Sequence, residues 1–326
     1  MADTVLTIED LQVEFRTEDG VIKAVDGVSY QLAKGEVLAV LGESGSGKTV
    51  HARAIMRILE TPPAFITGGV VRLRDLELLD LSEADMREVR GSQIAMLFQD
   101  PHTALDPVFT VEKQFTELLQ QRQKLSGREA KARTLALLEQ VGIPDPGKRL
   151  KAYPHQLSGG TAQRVMVAMA IALEPEVLLA DEPTSSLDVT VQAQVLGLLA
   201  SLVAETQMAM VLITHNLSVA VGLAQRIAVM YAGRVVELGP ARDVFAGPKH
   251  PYTAGLLRSI PGIQVREERL PGIEGVPPDL LSRPAGCAFH PRCPLADDRC
   301  RSEMPPLAEV LPLRSSACFH PEKVAR

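Results

Sequence analysis

The chain has 326 residues, a formal net charge of -6, 4% aromatic residues and no tryptophan. This length suits one large domain or two modest ones, and the acidic balance gives no support to a general nucleic-acid surface. No run of 18 apolar residues occurs, because Glu174, Pro175 and Glu176 interrupt the most hydrophobic stretch, and the acidic start MADTVLTIED lacks the apolar core of an export signal. A chain without a bilayer span, in a reducing compartment, is expected. Residues 5–15 and 21–32 alternate as strands around a turn at Glu18, Asp19 and Gly20. EVLAVLG (36–42) reads as a buried strand, 48–60 as a helix stopped by Thr61, Pro62 and Pro63, and 93–101 as a second buried strand. Residues 111–142 look helical with a break at Gly127. Helix 159–173, strand 177–180, helix 190–205 and strand 209–214 then alternate. That is the pattern of a mainly parallel sheet with helices on both faces. Residues 226–239 read as a hairpin turned at Ala232 and Gly233. Near residue 240 prolines gather, periodicity fades and cysteines appear, which sets a boundary between 1–240 and 241–326.

GESGSGKT (42–49) matches G-x-x-x-x-G-K-[ST] between an expected strand and an expected helix. Its residues are Gly42, Glu43, Ser44, Gly45, Ser46, Gly47, Lys48 and Thr49. Glycines let backbone N–H groups curl around phosphate oxygens, and the helix start adds positive potential. Lys48 would reach the β and γ phosphates, and Thr49 would take a position on Mg2+. In EVLLADEP (176–183) the apolar run drives a strand whose acids emerge at the carboxyl end, where ligands of open α/β sheets gather. Asp181 would hold Mg2+ through water, and Glu182 would polarise the attacking water.

LSGGTAQ (157–163) resembles the signature of ATP-binding-cassette (ABC) ATPases, with Leu157, Ser158, Gly159, Gly160 and Gln163 in its positions. The resemblance implies further roles. Gln99 would be a Mg2+ ligand and γ-phosphate sensor, and Ser186, Leu187 and Asp188 the D-loop. His215 would contact the γ-phosphate, and Phe15 would stack on adenine, a place a core phenylalanine would equally occupy. The signature would cap the nucleotide of a second cassette, so that ATP joins two subunits head to tail. AVDGVSY (24–30), YPHQLSGG (153–160), ADEPTSSLDVTVQAQVL (180–196), VMYAGRVVELG (229–239) and KHPYTAGLL (249–257) are similar to the dipeptide/oligopeptide permease ATPases. That family implies an α/β P-loop NTPase with a mainly parallel core sheet, an antiparallel β subdomain and a helical subdomain at about 104–170. It also implies import of dipeptides or oligopeptides at the cytoplasmic face of the inner membrane. The partners would be a sister ABC ATPase in a heterodimer, two transmembrane permease subunits and a periplasmic or extracellular peptide-binding protein, with no nucleic acid. DPHTALDPVFT (100–110) would lie where cassettes receive the membrane subunits. The same motor could import a nickel chelate, glutathione or an antimicrobial peptide; regulatory and non-transport cassettes are the remaining alternatives. Thr161, Ala162, Ser186 and Asn216 depart from the commonest pattern, and none removes a catalytic group.

All four cysteines, Cys287, Cys293, Cys300 and Cys318, lie in the tail. Their spacing, C-x5-C-x6-C-x17-C, lacks the close pairs of zinc ribbons and is not the tight ferredoxin run. Spacing alone leaves the metal open. The family resemblance implies a [4Fe-4S] cluster on these four thiols; Zn2+ and free reduced cysteines are the alternatives. His290 and His320 stand beside them and are read as loop residues.

Overall fold

The computed structural model describes residues 3–185, 187–259 and 272–324. The chain divides into two compact units, Met1–Asp80 with Val211–Arg326, and Leu81–Met210.

The first unit begins with β1 (Thr4–Thr17), β2 (Gly20–Ala33), β3 (Val37–Leu41), α1 (Lys48–Ile55), β4 (Ala64–Leu73) and β5 (Leu76–Glu77). β1 and β2 are antiparallel and meet at Thr17 and Gly20, as the alternation predicts. With β4 and β5 they form a four-stranded sheet ordered β2-β1-β4-β5. The sequence pattern did not announce β4, because Gly68 and Gly69 interrupt its apolar residues. Gly69 needs to be glycine: φ is +99°, and a Cβ there would lie 2.5 Å from the Leu11 Cα. The helix expected over 48–60 ends instead at Ile55, since Arg57 turns left-handed at φ 50° and donates to the Leu78 carbonyl.

The second unit follows with α2 (Glu83–Val89), β6 (Ile94–Leu97), α3 (Pro101–Ala104), α4 (Val111–Gln123), α5 (Gly127–Gln140), α6 (Pro146–Arg149), α7 (Gly159–Ala170), β7 (Val177–Asp181), α8 (Val189–Thr206) and β8 (Ala209–Ile213), whose last residues belong to the first unit. β6 and β7 are parallel and fully buried, which explains their unbroken apolar runs. The break expected at Gly127 is a full stop: Lys124 turns left-handed and Ser126 forms a capping box with Glu129 at the start of α5. α8 is the one helix among the described residues long and apolar enough to cross a membrane by length and composition. Its buried residues, Val195, Leu199, Leu202 and Val203, fall at helical spacing on one face.

The chain returns to the first unit with α9 (Leu217–Leu223), β9 (Arg226–Tyr231), β10 (Arg234–Pro240), α10 (Ala241–Ala246), α11 (Pro251–Arg258), α12 (Asp298–Ser302), β11 (Ala308–Leu311) and β12 (Arg314–Ser316). β3 runs parallel to β9, and the β9–β10 hairpin turns at Ala232 and Gly233, both with positive φ. The described residues beyond 240 pack within this unit. β12 adds to the edge of β10 and pairs in turn with β11. Glu237 on β10 is wholly buried and accepts hydrogen bonds from Lys249 N (2.7 Å), His250 N (2.9 Å) and Arg314 Nη2 (3.0 Å). Two of those donors come from the helix approach and one from β12, so one carboxylate on β10 joins two separate parts of the extension.

Candidate nucleotide site and cysteine-lined pocket

β3 delivers the phosphate loop and α1 receives it. Two of its glycines are forced by close backbone approach. A Cβ on Gly42 (φ +154°) would lie 2.3 Å from the Met230 carbonyl oxygen, and one on Gly47 (φ +99°) would lie 2.2 Å from that of Ala24. Gly47 is the N-cap of α1, and no side chain caps this helix. Lys48 is buried, and its Nζ donates to the carbonyls of Gly42 (2.8 Å) and Glu43 (2.9 Å). The ammonium therefore sits inside the curl of the loop, where phosphate oxygens would meet it. Ser44 and Gly45 are exposed at the crest, Ser46 is buried and Thr49 is half-buried. Beneath the loop, His51 is fully buried and its Nε2 lies 2.6 Å from Tyr30 Oη. Burial lowers its pKa to about 4, so the ring is neutral near pH 7.

His215 is exposed just beyond β8, and Asn216 beside it caps α9 by accepting from Ser218 N. Phe15 is half-buried on β1, opposite Ile22 of β2 and Ala64 of β4. The next residue, Arg16, lays its guanidinium over the Phe65 ring at 4.5 Å.

Within the second unit, β7 ends at Asp181, which is buried, and Glu182 follows in the left-handed region at φ 46°. A glutamate held there carries backbone strain, which clusters at functional sites. Its carbonyl accepts from the Ser185 N–H (3.2 Å) and hydroxyl (3.2 Å), and its Oε2 accepts from Gln99 Nε2 at 3.1 Å. Gln99, expected from sequence to serve this chemistry, is thus joined directly to the acid. Ser186 lies outside the described residues. Leu187 is half-buried, and Asp188 is the N-cap of α8, its Oδ1 accepting from Thr190 N (3.1 Å) and Val191 N (3.0 Å).

Ser158 caps α7, its hydroxyl accepting from Thr161 N at 3.4 Å. Ser158 and Gly159 are exposed. Gly160 must be small, because a Cβ there would meet Val191 Cγ1 at 2.7 Å. Leu157 and Gln163 are both buried, so these two side chains of the expected signature set serve the packing of α7 and present no surface to a ligand. Neither amide atom of Gln163 has a partner among the described residues.

The four cysteines line one pocket together with His290, His320, Phe289 and Phe319. Burial pushes the Cys287 and Cys318 thiols up to about 11, and the neighbouring thiols add to the rise; Cys293 and Cys300 are also raised, chiefly by burial. His320 does more than fill a loop. Its Nε2 is 2.8 Å from Asp297 Oδ2, and its backbone N–H donates to Cys318 Sγ at 3.3 Å. The ligand atoms of Asp297, Cys300 and His320 lie within 4.8 Å of one another.

A glycine-shaped phosphate loop, an acid pair at a strand end and a capped glycine helix start define an ATP-binding-cassette ATPase, an enzyme that uses ATP with Mg2+. The chain belongs to the family of ABC transporter ATP-binding proteins. A family model described as ABC transporter matches residues 25–185, and one described as the C-terminal region of oligopeptide/dipeptide transporters matches residues 236–300. The chain is 48% identical over 292 residues to the dipeptide transport ATP-binding protein DppD of Bacillus subtilis (strain 168), covering 90% of this chain and 87% of that one. It is 46% identical over 316 residues to DppD of Escherichia coli (strain K12), with 97% and 96% covered. Among solved structures, the dimeric post-hydrolysis state of the ATP-binding cassette MJ0796 bound to ADP and Pi superposes with a TM-score of 0.65. That likeness is at 27% identity and covers 73% of this chain and 99% of that one.

Proposed function

We propose that this chain is the ATP-hydrolysing subunit of a peptide importer. The observation that carries the hydrolytic reading is the hydrogen bond from Gln99 to Glu182, at the end of a strand whose last residue is a buried aspartate. The relatives named for dipeptide and oligopeptide transport support the substrate class. Lys48 and backbone N–H groups of the loop beyond Glu43 take the phosphates, Phe15 takes the adenine, and Thr49, Gln99 and Asp181 would hold Mg2+ directly or through water. Glu182 accepts the proton of the attacking water as the bond between γ-phosphorus and its bridging oxygen breaks, giving ADP and phosphate. His215 contacts the γ-phosphate. Ser158, Gly159 and Gly160 cap the nucleotide of a sister ATPase, with Leu187 and Asp188 beside that junction. Two permease subunits anchor the pair to the cytoplasmic face of the membrane, and an external peptide-binding protein feeds them.

The reading divides on two variants in the assembled transporter. Glu182→Gln should bind ATP normally and hydrolyse it slower by about 10²–10⁴-fold, the usual worth of a general base. Lys48→Ala should lose both binding and uptake of a radiolabelled dipeptide. Equal ATPase rates in wild type and Glu182→Gln would mark the chain as a regulatory cassette instead.

For the tail, the donor set fits a four-thiolate group. The buried Cys300 and three half-buried thiols line one pocket, those of Cys287, Cys293 and Cys318 are raised further by neighbouring thiols, and two aromatic rings wall the pocket. Cys287, Cys293, Cys300 and Cys318 would hold a [4Fe-4S] cluster as a crosslink in a segment poor in regular structure. Iron and sulfide in anaerobically purified protein support this; zinc without iron would give the same four thiols, or Cys300 with His320 and Asp297, to zinc instead.

A further inference from the structure

Glu43, the second residue of the phosphate loop, has every polar group engaged, and the partners of its N–H and its carboxylate come from the far end of the chain. Its N–H donates to Tyr252 Oη at 2.8 Å. Its carbonyl accepts from Lys48 Nζ at 2.9 Å. Its carboxylate takes both terminal nitrogens of Arg292, at 2.8 and 3.1 Å. The Arg292 side chain is only 5% exposed. Its Nε donates to the Glu274 carbonyl at 3.0 Å, and its guanidinium lies 5.9 Å from the ring centres of Tyr231 and Phe289. Tyr231 and Tyr252 pack ring to ring at 4.5 Å, which fixes the hydroxyl that meets Glu43.

Stability alone does not call for this arrangement. A buried ion pair gains little over an apolar pair of equal volume, because desolvation offsets the attraction. What a two-pronged guanidinium–carboxylate bond supplies is orientation. Held at its N–H, carbonyl and carboxylate at once, residue 43 has one available conformation, and the loop from 42 to 47 starts from it. Arg292 closes the short turn His290–Arg292, between Cys287 and Cys293. A shift of that turn moves the guanidinium.

We propose that Arg292 and Tyr252 are positioning residues for the phosphate loop, through which the turn between Cys287 and Cys293 is energetically coupled to nucleotide binding. The proposal rests on the assignment of that loop to nucleotide phosphates. By linkage the coupling is reciprocal: bound nucleotide steadies the turn as much as the turn steadies the loop.

A double-mutant cycle on the full-length chain tests it, with trinitrophenyl-ATP as the binding probe and melting temperature followed in the same samples. Arg292→Gln and Glu43→Gln should each weaken binding by about 5–30-fold, in the usual range of coupling between sites. The double variant should be no worse than the poorer single, because both remove one interaction. Tyr252→Phe deletes only the hydroxyl, keeps the packed ring and should also weaken binding. Arg292→Lys should recover part of the affinity. In steady-state assays of the assembled transporter, KM for ATP should rise while kcat stays within about threefold, the mark of lost ground-state binding. Wild-type affinity in Arg292→Gln and Tyr252→Phe, or losses that multiply in the double variant, would overturn the coupling. A wild-type chain that fails to bind the probe would overturn the nucleotide assignment itself, and the latch with it.

Discussion

Two helix starts, α1 and α7, present glycines and backbone donors, and they are built in opposite ways. α1 has Gly47 as its N-cap, no capping side chain and a buried lysine folded into the loop. α7 has Ser158 as its N-cap, and the serine hydroxyl satisfies a first-turn N–H within the chain itself. The glycines differ too. Gly42 and Gly47 are pressed against backbone carbonyls, which cannot give way, whereas Gly160 is pressed against one methyl group of Val191. The first start is a rigid enclosure that depends on its ligand-binding residues for shape. The second is complete on its own, its first turn capped by a side chain of the same chain.

The contrast can be broken at three points, taken here from the largest effect to the smallest. Gly47→Ala forces a Cβ into the Ala24 carbonyl at a left-handed φ, so the loop must rebuild. Nucleotide binding should fall by at least about 10²-fold, as expected when a change forces rearrangement at a strained backbone position. An alanine variant that titrates like wild type would show that the enclosure is soft. Next comes acid. His51 under α1 has a pKa near 4 in the folded chain and 6.5 unfolded, so the unfolded chain binds its proton first. Its contribution is complete above pH 6.5 and is lost as the pH falls through 4; for a shift of this size that is about 3 kcal/mol. Denaturant titrations at pH 7 and pH 4 should show this loss, and His51→Gln should reduce it. α7 has no histidine or carboxylate and should not share the effect. Smallest is Ser158→Ala, which removes the cap of α7 at a cost of about 1 kcal/mol. It should leave ATP binding by the single chain unchanged.

What the sequence discloses is contiguous. The phosphate loop, β3, the acid pair and α7 are each specified within a dozen residues by period, glycine placement or cap chemistry, and each stands where the pattern sets it. The hydrogen bond from Gln99 to Glu182 is a further relation that no local pattern announces, because 83 residues separate the two. The sequence hides what depends on distant chain. β4 carries its apolar residues around a glycine pair that exists to pass under β1. β11 exposes three of its four residues, so no alternation marks it as a strand. Arg292 and Tyr252 look like one more arginine in a basic-acidic tail and one more aromatic in a helix; only their separation of 249 and 209 residues from Glu43, bridged by the fold, gives them meaning. His320 is hidden for the same reason, because Asp297 and Cys300 reach it only after the tail has turned back on itself.

The latch on Glu43 also sets a timetable. During translation the phosphate loop leaves the ribosome early, but Arg292 is polymerised 249 residues later. At about 5–20 residues per second that is a lag of roughly 10–50 s. Until Tyr252 is added, 209 residues after Glu43, the nascent chain carries a complete loop motif that lacks both anchors, and it lacks Arg292 to the end of that interval; under the proposed coupling, a firm hold on nucleotide is among the last properties a newborn molecule acquires.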